Sequence, residues 1–289
     1  MSSLIHGIGN LSIVPMRAAA SDKSEMVSQL LFGELFTVLD QNENWLFIET
    51  THDNYQAWID KKQCRLLPEL YYQQLLTSNR HYTKDVWHST QCQATYFSLT
   101  LGSILPNFDG LCSDIAKEKY TYSGDTVAFN ASNFSGSQML ENAMKFLHTP
   151  YLWGGRTPFG ADCSGFVQVV CRLIGVSLKR DAYQQAQQGT MVLSFDEVKQ
   201  GDLVFFGKEQ GKITHVGILL SKNKVIHASG KVRIDKIDIK GIFNEETKKY
   251  THHLRLIKRV LHTPEKRKQQ SVLDNVWGEN LVTHKTKQS

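Results

Sequence analysis

With 289 residues, 41% hydrophobic and 21% charged, the chain can bury more than one core and divides most naturally into two or three domains. No apolar run approaches the roughly 20 residues of a membrane span, and the first ten residues have neither a basic n-region nor an apolar h-region. The net charge of +5 is uneven: residues 222–268 hold 14 basic and 5 acidic residues, a pattern of a solvated basic face, and no nucleic-acid-binding motif accompanies it. Cys64, Cys92, Cys112, Cys163 and Cys171 form no Cys-x-x-Cys pair, which argues against a disulfide framework and a zinc site and favours a reducing compartment.

In chain order, alternating segments at 28–32, 35–39, 45–48 and 56–59 are broken by Gly33-Glu34, by 41–44 and by 52–54, which predicts a small β-barrel over residues 1–67. With the entry Pro15-Met16-Arg17-Ala18 and the closing Ala57-Trp58-Ile59, it resembles bacterial SH3-like domains. Residues 68–84 read as a helical linker. Residues 85–130, with strand-like pieces at 94–99 and 119–122 and turns at 105–109 and Ser123-Gly124-Asp125, resemble a second, degenerate SH3-like unit.

From Phe166 onward, Val167, Val170 and Ile174 recur at helical spacing and Gly175 supplies a C-terminal cap. Cys163 then falls in or just before the first turn, where unpaired N–H groups and the helix dipole favour a thiolate and can stabilise an oxyanion. Asp162 suits the N-cap. Residues 201–207, 215–220 and 225–228 read as short strands, the last two forming a hairpin, and they carry His215 and His227. A thiol at a helix start with two downstream imidazoles supplies a nucleophile and its base. Whether the two histidines share a face depends on the hairpin register.

The blocks from Pro150 through Tyr151, Trp153, Gly154 and Gly155 to Gly160, then Asp162-Cys163-Ser164-Gly165-Phe166, Gly201-Asp202-Leu203, His215-Val216-Gly217 and Ile226-His227-Ala228-Ser229 resemble the NlpC-type cysteine peptidases. These are papain-like bacterial cell-wall hydrolases, and the resemblance spans residues 138–262. It implies an α+β fold, with a papain-like C-terminal domain preceded by one or two small SH3-like β-barrels and followed by a tail at 263–289. It further implies Cys163 as nucleophile, His215 as general base, His227 as the group orienting His215, and Tyr151 at the oxyanion site. Asp162, Ser164 and Trp153 would face the substrate, and no metal or organic cofactor is implied.

An SH3-like unit ahead of such a domain resembles one subgroup, the γ-D-glutamyl-L-diamino acid endopeptidases of murein recycling. That resemblance implies a murein-derived peptide substrate, L-Ala-γ-D-Glu-diamino acid, with a free N-terminal L-Ala. The ammonium needs acidic and hydroxyl acceptors, for which Asp162, Glu25 and Tyr55 are the candidates and Glu34 is the rival to Glu25. A cytoplasmic location is expected, or a periplasmic one if a leader peptide has been removed. The alternatives are a papain-like amidase or acyltransferase, or a wall-binding protein whose catalytic domain is vestigial.

Overall fold

The computed structural model describes residues 4–129, 135–208 and 211–261. The residues of the expected tail at 263–289 lie outside them. Strands β1 (Ile5–Ile8), β2 (Ile13–Arg17), β3 (Met26–Leu31), β4 (Leu35–Gln41), β5 (Trp45–Thr50), β6 (Gln56–Asp60) and β7 (Arg65–Leu67) form one antiparallel sheet in the order β3-β2-β6-β5-β4-β1-β7. Alternation is what builds it: Val14 and Met16 on β2, Leu46 and Ile48 on β5, and Ala57 and Ile59 on β6 all turn inward to one core.

Helix α1 (Glu69–Thr77) follows Pro68 and stops where both the N–H and the hydroxyl of Ser78 return to the Leu75 carbonyl. The helix therefore fills only part of the expected linker at 68–84. The rest of that span contains β8 (Arg80–Thr83), whose Tyr82 and Thr83 are buried. With β9 (Trp87–Cys92), β10 (Thr95–Thr100), β11 (Ile104–Pro106), β12 (Cys112–Ile115), β13 (Glu118–Thr121) and β14 (Thr126–Ala128) it makes two small sheets, β10-β9-β13-β12 and β11-β8-β14. This second unit has no core to itself. Leu99, Leu105 and Tyr120 pack with Ile8, Phe32 and Leu67 of the first sheet, while Tyr82, Leu101 and Ile104 join the core of the C-terminal part.

The C-terminal part combines α2 (Gly136–Met144), the hairpin β15 (Arg156–Thr157) and β16 (Gly160–Ala161), α3 (Cys163–Arg172) and α4 (Ala182–Gln185) with a sheet. Its strands are β17 (Thr190–Met191), β18 (Leu203–Gly207), β19 (Ile213–Ser221), β20 (Lys224–Ser229), β21 (Lys231–Asp238), β22 (Gly241–Asn244) and β23 (Lys249–Arg259). They run β17-β23-β18-β19-β20-β21-β22, and β22 pairs with β23 as well, closing a six-stranded barrel. Helix α3 is buried along its whole length against this barrel, with Phe166, Val167 and Val170 in the same core as Val216, Ile218 and Ile226.

The three parts meet at the turn Gly33-Glu34. Gly33 has φ +79, and an added Cβ there would stand 2.0 Å from the Ile104 carbonyl oxygen, so only glycine lets the second unit approach. Glu34 is buried, and its carboxylate receives both terminal nitrogens of Arg156 at 2.9 Å, Arg172 Nη1 at 2.5 Å and the Leu31 N–H at 2.8 Å. Burial alone would raise the Glu34 pKa. Arg156, Arg172 and His52 outweigh it and hold the group ionised, well below the usual carboxylate range. Glu34 is thereby removed as an acceptor for a substrate ammonium, because its charge is spent inside the protein. Replacing one member of such a cluster strands the others, at a cost of about 3–5 kcal/mol. Glu34→Gln is therefore expected to lower stability by that amount, read as a shift of the urea midpoint, whereas Glu43→Gln on an exposed turn should leave it unchanged.

Candidate active site

Cys163 opens α3, and Asp162 is its N-cap, accepting the Gly165 N–H at 2.7 Å. Glycine at 165 is required by space, since an added Cβ would come within 2.2 Å of the Gly155 carbonyl oxygen. Burial pushes the Cys163 thiol up to about 12 and Asp162 adds to the shift; hydrogen bonds from the Val216 and Ser164 N–H groups, and the charge of Arg180, oppose it. Val216, whose N–H favours the thiolate, lies on β19 one residue from His215.

The hairpin register settles the face of the histidines. Gly217 lies opposite His227, and His215 is two residues from Gly217, so both imidazoles project from the same side. Gly217 has no side chain to obstruct them: an added Cβ would stand 3.0 Å from the His227 Cβ and 2.7 Å from Val225 Cγ2. His215 Nε2 lies 2.9 Å from His227 Nδ1, and His227 Nε2 lies 2.9 Å from Asp235 Oδ2. Burial would raise the Asp235 pKa, but hydrogen bonds from His227 and Arg233 prevail and lower it. An ionised Asp235 accepts from His227 Nε2–H, which leaves His227 Nδ1 to accept from His215 Nε2–H and leaves His215 Nδ1 bare. Burial, with His227 and His252 nearby, lowers the His215 pKa well below its usual value, so the resting imidazole is neutral.

Tyr151 is half-exposed, with its phenol raised to about 12 by burial and by the neighbouring Cys163 and Asp162. Trp153 is exposed, and its indole N–H donates to Glu25 Oε1 of the first barrel at 2.5 Å. The next residue, Gly154, has φ +76, and an added Cβ would meet the Met26 carbonyl oxygen at 2.4 Å. The first barrel thus touches the rim of the site through Glu25 and Met26. Tyr55, half-buried and raised to about 12 by burial and by Asp181, also has Arg180 and Asp162 among its charged neighbours.

Asp162 and Ser164, expected beside the substrate's polar groups, are both buried and engaged with Arg180: Asp162 accepts Arg180 Nη1 at 3.1 Å and Nη2 at 2.5 Å, and Ser164 Oγ accepts Nη1 at 2.9 Å. The Gly154 and Gly165 N–H groups and the Ser164 hydroxyl take up further lone pairs of Asp162. A carboxylate with five donors and a buried guanidinium counter-charge has little left for an ammonium. Asp162 holds the helix start in place, and Arg180 ties it to Ser28 of the first barrel at 3.0 Å.

Three residues of the site escaped the sequence reading. Arg180, between Lys179 and Asp181, carries no signal of burial. Asp235 becomes visible only with the register, because Arg233 lies opposite His227 and residue 235 shares that face. His252 on β23 stacks on His215, ring centroids 4.3 Å apart at 27°, and the neighbouring His253 offers an equal claim in sequence.

The NlpC/P60 family matches residues 148–255, and the bacterial dipeptidyl-peptidase Sh3 domain matches residues 16–63. The chain is 30% identical over 222 residues to γ-D-glutamyl-L-lysine dipeptidyl-peptidase of Bacillus subtilis (strain 168), covering 70% of this chain and 71% of that protein. It is 26% identical over 243 residues to dipeptidyl-peptidase 6 of Lysinibacillus sphaericus, covering 74% and 85%. The crystal structure of an NlpC/P60 family protein from Bacillus cereus ATCC 10987 shares the fold, with a TM-score of 0.74 at 18% identity over 89% of this chain and 100% of that one. The chain belongs to the NlpC/P60 family, whose members are cysteine peptidases.

Because the lowered pKa keeps His215 unprotonated down to acid pH, its protonation should cut kcat/KM only as pH falls through that lowered value. The acid limb is expected below pH 6.5; a limb at or above 6.5 would mean that burial does not govern this imidazole. Asp235→Asn should lower kcat with little change in KM, since the amide still orients His227 but withdraws the charge that stabilises an imidazolium; an equal rise in KM would contradict this.

Proposed function

We propose that this protein is a cysteine endopeptidase that hydrolyses the bond between γ-D-Glu and an L-diamino acid in murein peptides with a free N-terminal L-Ala. Cys163 is the nucleophile, His215 the general base and His227 the group that orients it, with Asp235 holding His227. As the sulfur attacks the γ-carbonyl carbon of D-Glu, His215 Nδ1 takes the thiol proton. The oxyanion forms beside the first N–H groups of α3 and the Tyr151 hydroxyl. Collapse breaks the C–N bond, and His215 passes its proton to the leaving amine of the diamino acid. Water, deprotonated by the same imidazole, then cleaves the thioester and releases the L-Ala-γ-D-Glu dipeptide with the thiol restored.

The observation that carries the substrate assignment is the contact of the first barrel with the rim of the site, Glu25 on Trp153 and Met26 on Gly154. A wall at that end of a cleft limits how many residues precede the scissile bond. Glu25 and Tyr55 are the groups proposed to receive the L-Ala ammonium, with Trp153 against the peptide. Two relatives named γ-D-glutamyl-L-lysine dipeptidyl-peptidase, at 30% and 23% identity, support the same bond. An enzyme that needs a free L-Ala acts on released fragments, which fits a recycling role in the cytoplasm.

N-acetylating the substrate removes the ammonium charge that Glu25 and Tyr55 would receive and adds bulk against the barrel. On L-Ala-γ-D-Glu-diaminopimelate, followed by mass spectrometry of the products, acetylation is expected to lower kcat/KM by about a hundredfold or more. Equal rates on the free and acetylated peptides would leave a general γ-D-glutamyl endopeptidase without an N-terminal pocket. Cys163→Ala should abolish turnover in a folded protein; a residual rate near wild type would remove the thiol from the mechanism.

A further inference from the structure

We propose that His215, His227 and His252 form a binding site for a transition-metal ion of the zinc type, and that an ion bound there switches the enzyme off. The inhibition rests on the peptidase reading above; the binding does not. One nitrogen from each of the three rings lies within 4.8 Å of the others. The proton chain through His215, His227 and Asp235 has no need of His252, yet the His252 ring lies 4.3 Å from that of His215 and 5.6 Å from that of His227.

The outer contacts leave the inner lone pairs available. His227 Nε2 is held by Asp235 at 2.9 Å and His252 Nδ1 by the Thr251 hydroxyl at 2.9 Å, which leaves His227 Nδ1 and His252 Nε2 as acceptors, the latter reaching a shared ion once the His252 ring tilts out of its stack on His215. This is the arrangement of metal-binding imidazoles, each donating its other N–H to an oxygen. His215 joins them when its single proton moves from Nε2 to Nδ1, with no proton gained or lost. Zinc–nitrogen bonds of about 2.0–2.1 Å in a tetrahedral site put the nitrogens about 3.4 Å apart, so the 2.9 Å contact between His215 and His227 has to open by about half an ångström. Three imidazoles suit zinc, copper or nickel and are poor ligands for magnesium or calcium. The fourth position falls to water, since Cys163 lies on the Nδ1 side of the His215 ring and is not among the groups that converge there. With the ion in place His215 no longer takes the thiol proton within its relay, and turnover stops.

The test separates this site from ordinary capture of a thiol by metal. In calorimetry with zinc chloride, the Cys163→Ala protein is expected to bind one ion and to ignore magnesium. His252→Phe in the same background keeps an aromatic ring on His215 but has no lone pair, and should weaken binding at least about tenfold. His252→Gln, checked for folding by its thermal midpoint, serves as the second variant. In the enzyme with Cys163 intact, zinc inhibition should be reversed by EDTA, and the half-inhibiting concentration should rise by the same factor in His252→Phe, measured against that variant's own uninhibited rate. Failure of Cys163→Ala to bind zinc, or unchanged affinity in both His252 variants, would overturn the proposal. Binding that survives Cys163→Ala and is lost with His252 upholds the site even if no γ-D-glutamyl peptide is hydrolysed, a result that would count against the peptidase reading alone.

Discussion

The buried carboxylate of Glu34, held by Arg156 and Arg172, is the constraint on which the rest of the structure depends. Glu34 belongs to the first barrel, Arg156 to the hairpin that follows the Gly154-Gly155 turn, and Arg172 to the last turn of the helix that Cys163 opens. Arg172 also reaches the Gly102 carbonyl of the second unit at 3.3 Å. One anion therefore ties three segments distant in sequence to fixed positions. Desolvating three charges is expensive, and the cluster is tolerated only because each charge meets an opposite one with direct hydrogen bonds. Its value lies in specificity of arrangement more than in net stability, since apolar residues would have filled the same volume without fixing the orientation of the barrel.

A second cluster repeats this device nearer the chemistry. Arg180 is fully buried and ties Asp162 and Ser164, which flank the nucleophile, to Ser28 of the first barrel. The same Asp162 receives the Gly154 N–H, so the helix start and the rim segment are held by one carboxylate. These contacts are charge-assisted and lie among buried groups, where they are stronger than in water. The first barrel is in this sense part of the active site: it supplies Glu25 and Met26 to the rim, and its attachment fixes the backbone around Cys163.

The site itself balances two opposing effects. Burial drives the Cys163 thiol up and the His215 imidazole down, so both are neutral at rest. In the proposed mechanism the relay through His227 to an ionised Asp235 supplies negative charge that compensates His215 when it accepts the proton. Neutral resting partners with a counter-charge already in place delay charge separation until the substrate is present.

The sequence by itself determined the local elements and the candidate nucleophile, because these rest on short-range rules. The alternation of β5 and β6, the Asp162 cap and the helical spacing from Phe166 are all written within a few residues of where they act. It also determined the pair of histidines, since the two strands that carry them are neighbours in the chain. Only the tertiary structure decided which face those histidines share, because a slip of one residue in the hairpin would have reversed it. It alone showed that Asp162 is spent on Arg180 and Glu34 on Arg156, because a carboxylate's availability depends on counter-charges that arrive from other segments. It alone brought in Asp235, through the register of β21 on β20, and His252, through the pairing of β23 with β22 and β18. Charge pairing and strand pairing join residues that are not neighbours in the chain, 122 positions apart for Glu34 and Arg156 and 18 for Asp162 and Arg180, and no local pattern carries them.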